Sequence, residues 1–267
     1  MNGFKELSEY YNVSVDEAVL LGKRAPNRMP DLPPSRTTKA LSGMTYEDIW
    51  KLKERKTEQD IFDFYKDQCA WSSFRQMNHH GSPQSIEFHL DILEQMIRPR
   101  TVLCEYGCGI APFSHTLLTR LQDPDMYMTI FISDVDSEHF HFAQWRLSKV
   151  IEEQKLINVS LYAIYIKPNE LPSYPTSFDS LIAFEVLEHV QSPLDVFGNL
   201  NKHMRAGSFF CENFILHNPD QHDDESDLEN AKLERTPYYD MLDSDYRLVY
   251  GLDPTIASDG TRVWKKK

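Results

Sequence analysis

The chain of 267 residues carries 28 Lys and Arg against 41 Asp and Glu, a net charge of −13. That length holds one sizeable α/β core with a smaller appended region, and that charge argues against a protein whose main task is gripping a nucleic-acid backbone. No apolar run approaches a membrane span, and the start, MNGFKELSEYY, lacks the basic and apolar segments of a leader, so the expectation is a soluble, cytoplasmic protein with no membrane partner.

The first part of the chain reads as helices. Ser14-Val15-Asp16-Glu17 is a capping-box pattern and predicts a short helix from Val15 to Gly22. Arg24 to Thr38 holds four prolines, which forbid helix and favour an extended linker. A second helical block starts near Thr45, with Ile49, Leu52, Ile61, Phe62 and Tyr65 at helical spacing. Thr57 to Asp60 offers a fresh cap for a helix running to about Phe74. Met77 to Pro83 reads as a polar loop whose His79 and His80 either touch a substrate or are merely solvated. Ser82 and Pro83 suit the N-cap and first residue of the next helix, which puts Ile86, Leu90, Leu93 and Ile97 on one face. Residues 1–81 are therefore expected to form an N-terminal helical cap and linker, and residues 82–267 the main domain.

Thr101 to Cys104 reads as a buried strand, broken by Glu105-Tyr106-Gly107-Cys108-Gly109 just before a helical pattern from Phe113 to Leu121. Alternate glycines let the backbone turn sharply and let a ligand approach, while the N–H groups of the helix start are expected to face it. A dinucleotide fingerprint would need a third glycine where Pro112 stands, and the Glu105 carboxylate would repel a pyrophosphate and suit a ligand carrying positive charge. Met128 to Ser133 is a second strand ending at Asp134, whose carboxylate suits the two hydroxyls of a ribose. Asp136 is expected to cap the helix that follows from Ser137. Val159 to Ile166 and Phe178 to Phe184 are the third and fourth strands. The latter leads into Glu185-Val186-Leu187-Glu188-His189-Val190, where two carboxylates and an imidazole fall within one helical turn. Ser208 to Ile215, after a turn at Ala206-Gly207, is the fifth strand, with His217 beyond its tip. Pro219 to Glu234 is strongly acidic and reads as a mobile loop or lid, and Tyr246 to Tyr250 and Thr261 to Trp264 as closing strands. The four cysteines show no C-x-x-C spacing and read as reduced core residues.

From about Ser82 onward the Glu105-x-Gly107-x-Gly109 turn and the Glu185-x-x-Glu188-His189 run resemble the class I S-adenosylmethionine-dependent methyltransferases. The E-x-x-E-H region with a histidine beyond the fifth strand resembles the ubiquinone-pathway O-methyltransferases and the small-RNA 3′-end 2′-O-methyltransferases. The resemblance implies a Rossmann-like, seven-stranded, mostly parallel sheet in an α/β/α sandwich, with the N-terminal helices over the cofactor. It implies that Glu105, Gly107 and Gly109 hold the methionine end of S-adenosylmethionine. Asp134, followed nine residues later by Ala143, holds the ribose, and Phe184 stands beside the transferred methyl. One position departs from the family: counting back from Leu171-Pro172 for the acid that meets adenine lands on Lys167, so the backbone near Ile166 is the alternative. His189 and Glu188 are the candidate catalytic base. A competing reading makes Glu185, Glu188, His189 and His217 a site for a divalent metal, Mg, Mn, Fe, Co or Zn. The expected activity is methyl transfer to an oxygen or nitrogen of a small-molecule acceptor. An RNA 2′-O-methyltransferase and a non-catalytic methyltransferase-like binding subunit are the alternatives.

Overall fold

The structure, a computed structural model, describes residues 2–24, 48, 55–67, 69–120, 126–214, 228–254, 256 and 260–267. The expected proline-rich linker beyond Arg24, most of the block from Thr45 and His217 lie outside these residues.

Among the described residues five helices precede the sheet, the first four being α1 (Asn2–Tyr11), α2 (Val15–Arg24), α3 (Glu58–Asp67) and α4 (Cys69–His80). Helix α2 starts where its cap predicts, with the Ser14 hydroxyl accepting from Glu17 N at 3.1 Å. At α3 the cap is reciprocal: Thr57 Oγ1 accepts from Asp60 N at 3.2 Å, and Asp60 Oδ2 accepts from Thr57 N at 2.9 Å. The helix expected to end near Phe74 instead runs on as α4 to His80. Met77 to His80 are thus helical rather than loop, and the break falls at Gly81-Ser82. Helix α5 (Pro83–Met96) has Ser82 as its N-cap, but its buried face is His89, Ile92, Leu93 and Met96, one step round from the expected one.

The sheet follows as β1 (Arg100–Tyr106), α6 (Pro112–Arg120), β2 (Tyr127–Val135), α7 (Glu138–Glu153), β3 (Val159–Ile166), β4 (Phe178–Ala183), α8 (Pro193–Lys202), β5 (Met204–Glu212), α9 (Glu229–Asp245), β6 (Tyr246–Tyr250) and β7 (Arg262–Lys266). The strand order is β3-β2-β1-β4-β5-β7-β6, with β7 antiparallel to both neighbours. This is the expected Rossmann-like α/β fold. Successive strand residues face opposite sides: Leu103, Ile130, Ile132 and Ile182 pack with α5, α6 and α7, and Cys104, Phe131, Leu181 and Ala183 pack with α8 and α9. Among the described residues Cys104, Cys108 and Cys211 are buried free thiols, and no helix is long and apolar enough to cross a membrane.

Three local expectations change. The segment expected to loop up to Glu234 enters α9 at Glu229, whose buried Ala231, Arg235, Tyr238, Tyr239 and Leu242 recur at helical spacing despite Pro237. Strand β5 begins at Met204, ahead of the turn expected at Ala206-Gly207. Ser137 rather than Asp136 caps α7, while Asp136 accepts from His141 Nε2 at 2.9 Å. From β1 the chain steps outward to β2 and β3, then crosses to β4 on the other side of β1. The carboxyl ends of β1 and β4 therefore diverge, and a crevice opens between them.

Candidate functional site

The turn after β1 lies at that crevice. Gly107 and Gly109 have φ of +61° and +53°, values that L side chains rarely adopt. The space above them is also taken: a Cβ on Gly107 would run into the Val186 methyls, and one on Gly109 into the Gln76 carboxamide. Two tips and a cap helix thus close on one backbone turn.

The N–H groups of this turn are committed inside the protein, contrary to the expectation that they face a ligand. Cys108 N donates to Ser133 O at 3.1 Å and Ala111 N to Cys108 O at 2.6 Å. Gly109 N donates to Asp134 Oδ2 at 2.6 Å, and Ile110 N to Gln76 Oε1 at 2.9 Å. Pro112 has no N–H, and Phe113 N and Ser114 N donate to Glu105 at 3.2 and 2.8 Å, joined by Ser114 Oγ at 2.5 Å. Glu105 is 2% exposed. Its carboxylate complements the start of α6, yet burial outweighs those hydrogen bonds and pushes its pKa up to about 7. Asp134 is 8% exposed, also accepts from Val135 N at 2.7 Å, and is raised by burial against the pull of His139.

At the tip of β4, Phe184 stands edge-on to Phe113, with ring centroids 5.4 Å apart. Glu185 is held in the left-handed region, φ +58°. Asn213, just past β5, fixes it there: its Oδ1 accepts from Glu185 N at 2.8 Å, and its Nδ2 donates to the Glu185 carboxylate. Leu187–His189 form a single 3-10 turn rather than an α-helical one. Glu188 stands 3.9 Å from His189 Nε2, and its carbonyl accepts from Leu228 N at 3.0 Å.

Of the expected metal set, Glu185, Glu188 and His189 are described and His217 lies outside the described residues. Among the described residues no three His, Cys, Asp or Glu side chains are arranged to hold a metal ion. Asn213 engages the Glu185 carboxylate, while Glu188 and His189 lie on the 3-10 turn that follows.

Two cavities open at the crevice. The first, about 420 Å³, is lined by Glu105, Gly107, Gly109, Phe184, Glu185 and His189 from the sheet side and by Arg75, Gln76, His79 and His80 from α4. The second, about 270 Å³, lies between α3 and the segments after β3 and β4, with Ile61, Phe62, Ile166, Lys167, Leu171 and Gln191 in its wall. Tyr106 and His189 line both. Asp134 and Glu188 are in the wall of neither cavity. Lys167 pairs with Glu170 at 3.6 Å. Burial and the neighbouring His79 and His89 push His80 down to about 3, so the imidazole facing the first cavity is neutral.

Several of these residues carry no motif. Gln76 and Asn213 act through the carboxamide of an ordinary helix and loop position. The remaining signal was positional: Asn213 follows a strand that ends at the same edge as Glu185, and Gln76 lies on the face of α4 shared with Ser72 and His80.

No protein-family model matches the chain, and no curated protein matches it. Solved structures do resemble its fold. A magnesium protoporphyrin IX methyltransferase from Synechocystis PCC 6803 with bound SAH is 12% identical, with 73% of this chain and 87% of that chain covered at a TM-score of 0.49. A SAM-dependent methyltransferase from Aquifex aeolicus is 12% identical, with 72% and 96% covered at 0.48. The [4+2]-cyclase SpnF is 13% identical at 0.45, with 65% of this chain covered, and here the chain spans 61% of the relative's length.

Proposed function

We propose that this chain is an S-adenosylmethionine-dependent methyltransferase acting on an oxygen or nitrogen of a small polar acceptor. The observation that carries the reading is the glycine turn. From Cys108 to Ser114 each backbone N–H already has a protein acceptor, and a carboxylate lies directly beneath. A phosphate-binding turn needs those donors free. This turn instead suits a ligand whose approaching end is cationic, as the methionine end of S-adenosylmethionine is.

When bound, S-adenosylmethionine supplies a methyl already activated on a sulfonium. The protein's part is to hold the donor and acceptor in line, which can supply up to roughly 7–11 kcal/mol. Glu105, Gly107 and Gly109 would hold the methionine end, and Phe184 would wall the same cavity. Asp134 is assigned to the ribose from its place at the end of β2; its two amide partners leave lone pairs on both oxygens. The second cavity would take the adenine, with the backbone around Ile166 in place of a side-chain acid at Lys167. His189, in the wall of both cavities, is the acceptor-side base if the acceptor must lose a proton. No step is assigned to a metal.

Glu105 gives the reading a pH signature. A carboxyl raised in the folded state contributes stability that is fully present below its unfolded value near 4.5 and lost as pH rises through about 7. A cationic ligand favours the ionised form, so its binding below pH 7 should release a proton. Calorimetry of S-adenosylhomocysteine in buffers of different ionisation enthalpy should show that release in the native protein and none in Glu105→Gln.

The activity itself is tested with S-adenosylmethionine labelled on its methyl group and a cell extract separated into small-molecule and RNA fractions. Label is expected in the small-molecule fraction. Label confined to ribonuclease-sensitive material, or to neither fraction, would overturn the proposed acceptor class.

A further inference from the structure

Helix α1 lines neither cavity, yet the structure ties it to the glycine turn. Glu6 on α1 is the tie. Its Oε1 accepts from His115 Nε2 on α6 at 2.8 Å, and its Oε2 lies 3.3 Å from Arg146 Nε on α7. Arg146 in turn donates from Nη1 to Ile110 O at 3.1 Å, while Gln76 accepts from Ile110 N. Both polar groups of one turn residue are therefore held by side chains from outside the turn. The Ile110 side chain is fully buried in the same cluster as Leu7 of α1, Ala18 and Leu21 of α2, Phe74 and Met77 of α4 and Phe142 of α7. Ile110 thus belongs by packing to the helical cap and by sequence to the turn. Next to it Ala111 is held at φ +52°, a conformation a non-glycine residue keeps only when its surroundings impose it.

Charged groups from α1, α6, α7 and β1 meet around Arg146. Arg146, 3% exposed, faces Glu6 and Glu105; Glu6 faces His115, Arg146 and Lys149; Glu9 of α1 pairs with Lys149. Burial alone would raise the Glu6 pKa, but the His115 hydrogen bond and the Arg146 charge hold it below the ordinary value. A neutral residue in its place would leave Arg146 buried with Glu105 as its remaining acidic neighbour.

We infer that Glu6 is a positioning residue for the cofactor turn: acting through Arg146, it couples docking of α1 to the conformation of residues Gly107 to Ala111 and hence to cofactor affinity. The inference rests on the cofactor reading above. Because coupling free energies are reciprocal, cofactor binding must in turn tighten α1.

The test uses the full chain at one pH, with S-adenosylhomocysteine as the probe, calorimetry for affinity and hydrogen exchange for local opening. In the native protein, saturating probe should slow exchange in Asn2 to Tyr11. Glu6→Gln should lower affinity by at least about tenfold and abolish that slowing, and Glu6→Asp should recover part of both. Glu9→Gln is the control: it loses a surface tie of α1 but not the path to Ile110, and should stay within about twofold of native affinity. Unchanged affinity in folded Glu6→Gln, an equal loss in Glu9→Gln, or native α1 exchange insensitive to the probe would each overturn the coupling. If the native protein does not bind the probe, the cofactor reading fails instead. Exchange without ligand then still decides the clamp: Glu6→Gln should speed exchange at both α1 and residues 107–111, and release of α1 alone would refute it.

Discussion

Gly107→Ala is expected to weaken cofactor binding by at least about thirtyfold in a protein that still folds its sheet. The substitution places an L side chain at φ +61°, worth about 1–2 kcal/mol of backbone strain. It also drives a methyl into both Val186 γ-carbons, in a buried contact where overpacking costs about 1–3 kcal/mol. Val186 directly follows Glu185, so the relaxation available is to push the β1 and β4 tips apart, which widens the cavity the ligand must bridge. The combined effect of about 2–5 kcal/mol corresponds to at least roughly thirtyfold in affinity. The double variant Gly107→Ala, Val186→Ala separates the two causes: it removes the collision and leaves the strain, and should regain the overpacking share. A calorimetric titration in which the single variant binds within threefold of native would mean the turn is not the ligand's seat.

Arg262→Ala should be the most destabilising single change on the opposite face of the sheet. Glu212, at the tip of β5, is fully buried and accepts from Phe214 N at 2.7 Å, Trp264 Nε1 at 2.9 Å and Tyr239 OH at 3.1 Å. Arg262 Nη1 is 3.8 Å from it and donates to Tyr239 OH at 3.1 Å, with Nε donating to Leu252 O at 2.9 Å. Burial nevertheless pushes Glu212 up to about 7. Removing the arginine strands a buried acid and breaks the link between β5, β7 and α9, a class of change that costs about 3–5 kcal/mol. Thermal unfolding should shift down by roughly 6–20 °C. Arg205→Ala, which breaks the solvent-exposed pair with Asp179, should cost about 0–1 kcal/mol. Equal shifts in the two variants would show that the buried network contributes no more than a surface pair. Because the Phe214 and Asn213 backbone continues from this network, Arg262→Ala should also loosen the Asn213 hold on Glu185 and carry a functional cost.

What could be read from the sequence follows the range of the interactions involved. Strand β3 runs from Val159 to Ile166 as its apolar pattern predicts, because a strand's signal is contained in its own residues. The caps at Ser14, Thr57 and Ser82 were legible for the same reason: donor and acceptor are three residues apart. Helix α9 was obscured by Pro237 and by an acidic approach that mimics a loop, although Ala231, Arg235, Tyr238 and Leu242 keep helical spacing. Helix α1 carries Phe4, Leu7, Tyr10 and Tyr11 at the same spacing, a signal its ten residues contain in full.

The site divides in the same way. The Glu105, Gly107, Gly109 turn and the Phe184 and His189 cavity wall follow from local pattern. The conformation at Glu185, Glu188 and His189 does not: Leu187–His189 form a 3-10 turn, and Glu185 is bonded by a residue 28 positions away. Glu6 and Arg146 are farther apart still, and nothing in either neighbourhood announces the other.

The central claim is that the crevice between β1 and β4 is a seat for S-adenosylmethionine. The most direct measurement is a calorimetric titration of the native chain with S-adenosylhomocysteine, run beside NADH and ADP. One saturable site for S-adenosylhomocysteine in about the micromolar range, unaffected by excess NADH or ADP, is the predicted result. Heat from NADH or ADP with none from S-adenosylhomocysteine would contradict it, because a turn with its N–H groups committed and a carboxylate beneath would then be accepting phosphate after all.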